Sequence, residues 1–176
     1  MDRDVDSGYR TAALADSAAR SLPLAAFLGR FAPYEARSVM RARIDAAIER
    51  AIAPLSWPAR VVMRPSLRFV AEPPEWVAIE LQGALLATTF SSGVSLCAEL
   101  GGAARPVQLP ATIRGNVRHF CDAGRLCTEI VSDVGTINNV FECIGADELL
   151  GHARLASQYV PLPLCYSMRL RRAPTG

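Results

Sequence analysis

Carboxylate side chains inside alternating segments are the first candidates for chemistry. They are Glu80, Glu99, Glu129, Asp133 and Glu142. A carboxyl group that points into an apolar interior has a raised pKa, which suits it to proton transfer. The alternative is that each carboxylate is solvated on an outer face. Glu142 is our first choice for a catalytic group because it lies mid-segment, close to Asn138 and Asn139.

Tyr166 is the second candidate for a catalytic role. It lies in the last alternating segment of the chain. A phenol there combines an apolar wall with one hydrogen bond to a ligand carbonyl. We therefore predict that Tyr166 and Glu142 carry whatever catalysis occurs.

A further set of side chains is predicted to contact a substrate, and it combines aromatic rings, imidazoles and one amide. The set is Trp76, Phe90, His119, Asn138, Phe141, His152, Phe27 and Phe31. Rings supply apolar contact surface, and imidazoles and amides supply hydrogen bonds. The alternative is that the rings pack in the core and that both histidines are satisfied structural residues.

Catalytic and metal-binding signatures are absent from the sequence. It contains no Walker loop, GxGxxG, HExxH or GxSxG motif, so phosphate-loop, Rossmann, zincin and hydrolase functions have no support. The five cysteines are odd in number and have no CxxC pair, and neither histidine stands at ligand spacing to them. We predict structural thiols in a reducing compartment, with a disulfide or a nucleophilic thiol as the alternative. No metal and no cofactor are expected.

Composition indicates one folded domain. Hydrophobic residues make up 51% and charged residues 20% of the 176 residues, which is typical of a globular protein. A net charge of +2 is too small to indicate nucleic-acid binding. The first residues lack the order of a signal peptide, and no apolar run approaches the roughly 20 residues of a membrane helix. A cytoplasmic protein with no membrane partner is expected.

The elements that must position these side chains change character between Pro58 and Pro65. Before that point the apolar spacing predicts a helix over Glu35–Leu55, which Pro54 and Pro58 end. A second helix is predicted to begin at Pro23 and to stop at Pro33, and a third to cover Tyr9–Ala19. These helices either pack on the sheet or form a lid, with Leu24, Phe27, Leu28 or Phe31 facing a ligand.

After that point the chain breaks into short alternating runs separated by turn residues. The predicted strands are Val61–Glu72, Glu75–Gln82, Leu85–Ser91, Val94–Leu100, Thr112–Cys121, Arg125–Asp133, Thr136–Ile144, Leu149–Ser157 and Cys165–Arg172. Residues 101–110 are predicted to be a connection in which Pro106 and Pro110 prevent regular pairing. A meander of this length hides its edges best by closing into a barrel. The period does not indicate which strand face lines the interior.

The last stretch of the chain resembles the closing hairpin of lipocalin-like (calycin) barrels, on the residues Pro163, Leu164 and Tyr166. The order of N-terminal helices and compact barrel also resembles small bacterial natural-product cyclases, the spirotetronate and spirotetramate cyclases of polyketide pathways. The resemblance implies a barrel that encloses a small hydrophobic molecule.

We therefore predict an α+β protein with a helical segment over residues 1–57, serving as cap or lid, and an antiparallel eight- or nine-stranded lipocalin-like barrel over residues 58–176, in one folding unit. We favour a cofactor-independent cyclase or isomerase of bacterial secondary metabolism that binds a small hydrophobic substrate and folds it into a reactive shape, for example in a polyketide [4+2] cyclisation. The alternative is a non-catalytic carrier or sensor of a hydrophobic ligand. A third hypothesis is an interaction protein with a fully packed barrel. A homodimer is also left open.

Overall fold

The computed structural model describes residues 24–110 and 113–174. A short 3-10 helix, Leu24–Ala26, precedes the first strand, and the helices α1 (Arg37–Ile52) and α2 (Trp57–Val70) follow that strand. The strands are β1 Gly29–Pro33, β2 Val77–Gln82, β3 Leu85–Phe90, β4 Ser95–Glu99, β5 Arg105–Gln108, β6 Arg114–Asp122, β7 Arg125–Ser132, β8 Gly135–Gly145, β9 Glu148–Ser157 and β10 Leu164–Arg172.

All ten strands of the described chain form one antiparallel sheet in the order β4-β3-β2-β1-β10-β9-β8-β7-β6-β5. β1 joins the two halves, because Phe31 faces Arg172 on β10 and Val77 on β2. The two ends of the sheet come back together where Leu100 bridges to His119 and the Gly101 amide donates to the His119 carbonyl at 2.7 Å. The sheet is therefore a nearly closed barrel.

One end of the barrel is filled by apolar side chains. The buried cluster there comprises Phe27, Phe31, Val77, Ile79, Leu86, Leu126, Phe141, Leu149 and Leu170. Arg172 fixes the segment that enters this end, since its guanidinium donates to the carbonyls of Ala26 and Leu28 and lies 4.7 Å from the centre of the Phe31 ring. Residues 24–28 thus fill this end.

The helices lie at the other end. Residues of α1, α2 and the β9–β10 loop share a second buried cluster, Ile44, Ala47, Ile48, Ala51, Ile52, Leu67, Ala71, Val160 and Leu164. On the outside, Arg64 pairs with Glu49 at 2.6 Å and Arg68 with Asp45 at 2.7 Å, which ties α2 to α1. The α1 helix therefore packs on this end of the barrel, and α2 packs against α1.

Helix α1 confirms the predicted helix over Glu35–Leu55. Its buried face consists of Met40, Ile44, Ala47, Ile48, Ala51 and Ile52, whereas Val39 is exposed. The strands predicted from Glu75 onward are confirmed as β2–β4 and β6–β10. On β6, Val117 and His119 are buried, whereas Asn116 and Arg118 are exposed. The predicted division at residues 57 and 58 stays a prediction, and the predicted helix over Tyr9–Ala19 lies outside the described residues.

The prediction of a helix running from Pro23 to Pro33 is wrong, because residues 29–33 form β1. The spacing of Leu24, Phe27, Leu28 and Phe31 fits a helix, yet it also fits a 3-10 turn followed by a strand. Gly29, with a φ of +131°, breaks the helical path. Pairing of β1 on both edges then decides in favour of the strand, because it joins β2 to β10.

The predicted strand over Val61–Glu72 is also wrong, because this segment is α2. Its valines favour a strand, but Pro58 lies in the first turn of the helix, where proline is tolerated. Arg60, Arg64 and Arg68 recur every fourth residue, and two of them pair with acidic residues of α1. This four-residue spacing of arginines is the sequence feature that indicates a helix here.

The tenth strand arises in the predicted connection over residues 101–110. Among the described strands β5 pairs with β6 alone, and Pro106 lies opposite Asn116. Proline lacks an amide donor and is accepted on a sheet edge. One predicted strand is therefore a helix, and two unpredicted strands, β1 and β5, bring the count to ten.

Candidate functional site

A large cavity lies inside the barrel beneath the helices, with a volume of about 1090 Å³. Apolar side chains line most of its wall, among them Phe90, Leu96, Ile130, Ile137, Phe141 and Met168. Pockets that hold small molecules have volumes of about 300–1,000 Å³ and mostly apolar walls. The barrel is therefore not fully packed, and its space is large enough for a lipid-sized molecule.

The alternation along β10 identifies the inner face. Leu164, Tyr166 and Met168 line the cavity, whereas Cys165 and Arg169 are exposed. Successive side chains of a strand point to opposite faces, so every second residue of the paired strands lines the interior as well.

A row of polar side chains crosses this inner face at one level. His119 on β6 lies opposite Thr128 on β7, and Thr128 lies opposite Asn139 on β8. Asn139 lies opposite Ala153 on β9, which in turn lies opposite Tyr166 on β10. We call these five residues the polar row. Four of them have hydrogen-bonding side chains in an otherwise apolar wall, and the fifth, Ala153, has only a methyl group.

His119 ends the polar row and is 0% exposed. Its Nδ1 lies 2.9 Å from Thr128 Oγ1, and its Nε2 lies 3.1 Å from the Leu96 carbonyl oxygen. A carbonyl can only accept, so Nε2 carries the hydrogen and Nδ1 accepts from the threonine hydroxyl. Burial lowers the pKa of His119, which keeps this imidazole neutral.

Tyr166 and Asn139 are the members of the polar row with hydrogen-bonding side chains that line the cavity. Both are half-buried, and neither side chain has a hydrogen-bond partner among residues 24–110 and 113–174. Burial raises the pKa of Tyr166 to about 12. The phenol is therefore protonated near neutral pH and acts as a donor.

Charged residues surround the mouth of the cavity. Arg37 and Arg41 both pair with Glu72 at 2.7 Å, and Arg37 also reaches Glu75 at 3.1 Å. The hydrogen bond from Arg37 holds the pKa of Glu72 below its usual value. Between these pairs lie Phe69, Val70, Pro73 and Pro74 from α2 and the loop that follows it. The mouth thus combines paired charges with apolar surface.

The structure brings some of the sequence-predicted residues to the cavity. Tyr166, Phe90 and Phe141 line it. His152 borders it, but its Nδ1 is engaged with Ser167 Oγ at 3.0 Å. Their roles in binding stay predictions.

The other predicted residues lie elsewhere. Phe27 and Phe31 belong to the cluster that fills the closed end, and His119 is sealed in the wall. Glu142 is exposed on the outer face of β8, in alternation with buried Phe141, and Asn138 shares that outer face. Trp76 stacks against Arg30, whose guanidinium carbon lies 4.2 Å from the ring centre. The structure therefore does not bring Glu142 to Tyr166.

Sequence reasoning missed Asn139 and Ala153. Asn138 and Phe141 are three residues apart, so they cannot share one face of a strand. Once Phe141 is taken as an inner residue, alternation assigns Asn139 to the cavity. The alternation of side chains along this strand is the sequence feature that identifies Asn139 as a cavity residue.

Neither helix of the described chain combines the length and the hydrophobicity that crossing a bilayer requires. Residues 24–110 and 113–174 contain no cluster of three or more histidine, cysteine or acidic side chains that could hold a metal ion.

Solved structures similar to this chain are lipid-binding barrels. Lipid binding protein 8 of Caenorhabditis elegans aligns with a TM-score of 0.54 at 10% identity, over 85% of this chain and 97% of that one. The fatty acid binding protein of Schistosoma mansoni, in complex with arachidonic acid, gives 0.52 at 14% identity over 86% and 98%. Fatty-acid-binding protein 1 of Echinococcus granulosus gives 0.53 at 14% identity over 85% and 99%. The chain shares the lipocalin-like (calycin) barrel fold of these proteins.

No protein-family model matches the sequence. No curated protein matches it significantly.

Proposed function

We propose that the protein is a carrier that holds one small, largely apolar molecule in the barrel cavity and releases it unaltered. The observation that carries the proposal is the cavity of about 1090 Å³ with its apolar wall. The names of the similar structures, which are lipid- and fatty-acid-binding proteins, support the same class of ligand.

Burial of the ligand supplies the affinity. Each methylene group removed from water contributes about 0.8 kcal/mol. A chain of ten such groups gains about 8 kcal/mol before the cost of immobilisation is subtracted. Burial of the apolar chain is therefore the main favourable contribution to binding.

The position of the predicted catalytic pair favours a carrier over a cyclase or isomerase. Glu142 is exposed on the outer face of β8, so it is not available to a ligand in the cavity. Tyr166 alone, with its pKa raised to about 12, is a poor base near neutral pH. A cytoplasmic location and a homodimer remain predictions attached to this proposal.

Native mass spectrometry of the protein purified from its own host tests the proposal. We expect one small molecule per chain, which organic extraction removes and which rebinds when it is added back. After prolonged incubation with the protein, the recovered molecule should have its original mass and chromatographic retention. Conversion of the molecule with turnover would contradict the carrier and favour an enzyme.

A further inference from the structure

We propose that the ligand is an uncharged amphiphile whose one polar group, an amide or an alcohol, hydrogen-bonds to Tyr166 and Asn139, and that ionised fatty acids are disfavoured. This inference rests on the proposed carrier function and specifies the ligand class of the same cavity.

The polar row positions two hydrogen-bonding side chains around a gap. Tyr166 and Asn139 both lie opposite Ala153, one on each side of it. Adjacent strands are about 4.8 Å apart, so the two side chains are separated by two strand spacings. Ala153 contributes only a methyl group between them. A polar group of a few atoms fits in that gap.

The hydrogen-bonding capacity of both side chains is free for a ligand. Neither has a partner within the described part of the chain, whereas His119 and Thr128 of the same row satisfy each other. The Tyr166 hydroxyl donates, and the Asn139 amide both donates and accepts. A ligand group that accepts one hydrogen bond and donates another, such as an amide or an alcohol, matches this set.

Positive charge is confined to the mouth and the outside. Among the cavity-lining residues that the structure describes, Arg37 and Arg41 are paired with Glu72, and Arg68 is paired with Asp45. Arg154 also borders the cavity and has no ion pair within the described residues, but it is exposed and lies opposite exposed Cys165, on the outer face of β9. A carboxylate beside Tyr166 would therefore be buried without a counter-charge, which is costly.

Competition against bound Nile red, a neutral polarity-sensitive dye, tests the ligand class. The competitors are dodecanamide, dodecanol and dodecanoic acid at about pH 7.5, where the acid is ionised. We expect the amide and the alcohol to compete at concentrations about tenfold or more below that of the acid, because burial of an unpaired charge costs more than burial of a paired dipole.

Matched variants test whether Tyr166 hydrogen-bonds to the polar group of the ligand. Tyr166→Phe is expected to weaken the binding of the amide and of the alcohol about three- to tenfold, because one hydrogen bond is lost. It should leave chlorododecane, which has no donor and is a weak acceptor, unchanged. Tyr159→Phe is the control, since Tyr159 is exposed and its removal should change none of these affinities.

The outcomes separate the two proposals. If dodecanoic acid competes as well as the amide, the uncharged-ligand inference fails and the carrier stands. If Tyr166→Phe leaves the affinity for the amide unchanged, the proposed hydrogen bond between Tyr166 and the ligand is contradicted. If neither Nile red nor any competitor binds, the carrier function fails as well.

Discussion

The Nε2 of His119 donates a hydrogen bond of 3.1 Å to the carbonyl oxygen of Leu96, and this contact joins β6 to β4 where the ladder of the sheet is interrupted. Nearby, the Gly101 amide donates to the His119 carbonyl at 2.7 Å. The backbone and the side chain of one residue thus both link the two ends of the sheet. His119, which we had predicted to contact substrate, is positioned to hold the barrel closed.

We predict that His119→Ala lowers the free energy of unfolding by about 2–4 kcal/mol. The change leaves a cavity in a buried wall and removes the partners of Thr128 and Leu96. Urea unfolding followed by circular dichroism measures it. Glu142→Gln is the control, because an exposed outer-face residue should change stability by less than about 0.5 kcal/mol. An equally small loss for His119→Ala would contradict the closing role.

Stability is predicted to fall with acidification in a window set by His119. Its pKa is lowered in the folded state by burial from an ordinary value of 6.5, so the unfolded chain binds the proton more readily. Stability is therefore full above pH 6.5 and declines as the pH falls from there towards the folded pKa. The pKa values of Glu35, Glu49 and Glu72 are lowered by arginine partners, so their contributions are lost only below about pH 4.5.

Proton NMR of the two imidazoles across this range checks the prediction directly. His119 should keep the signals of a neutral ring below pH 6.5 while the protein stays folded. Titration of His119 with a midpoint at or above 6.5 would overturn the assignment.

Gly135 and Gly83 are predicted to respond differently to alanine. Both have positive φ values, 155° and 65°, which alanine adopts at a cost of about 1–2 kcal/mol. Only at Gly135 would the new Cβ also collide with backbone, namely with the Ala156 carbonyl oxygen, whereas nothing lies within 4 Å of it at Gly83. Gly135→Ala should therefore lower the melting temperature more than Gly83→Ala, and equal shifts would contradict the close approach of β8 and β9.

Many strands of the barrel could be predicted from the turn residues and from the alternation of polar and apolar residues. The glycine turns after β2, β6 and β8 separate runs of period two, and neighbouring runs pair as predicted. The conformation of the segment Leu24–Pro33 could not be predicted in this way. Its spacing fits two conformations, and only the distant partners Val77 and Arg172 select the strand.

The site was only partly predictable for a related reason. Alternation fixes which residues share a face but not which face is inside. Of the predicted site residues, Tyr166 and Phe141 lie on the inner face, whereas Asn138 and Glu142 lie on the outer one. The register of β8 with β9 and of β9 with β10, which aligns Asn139 with Tyr166, is a property of the folded sheet.

The most direct test of the carrier is a titration of Nile red into the wild type, Ala153→Phe and Cys165→Phe. Ala153 lines the cavity between Asn139 and Tyr166, so a ring there occupies ligand space. Cys165 is its exposed outer-face neighbour on β10. We predict saturable one-to-one binding with blue-shifted emission in the wild type and in Cys165→Phe, and affinity lower by about tenfold or more in Ala153→Phe. Equal binding by all three proteins, or no saturable binding by the wild type, would contradict a ligand-holding barrel.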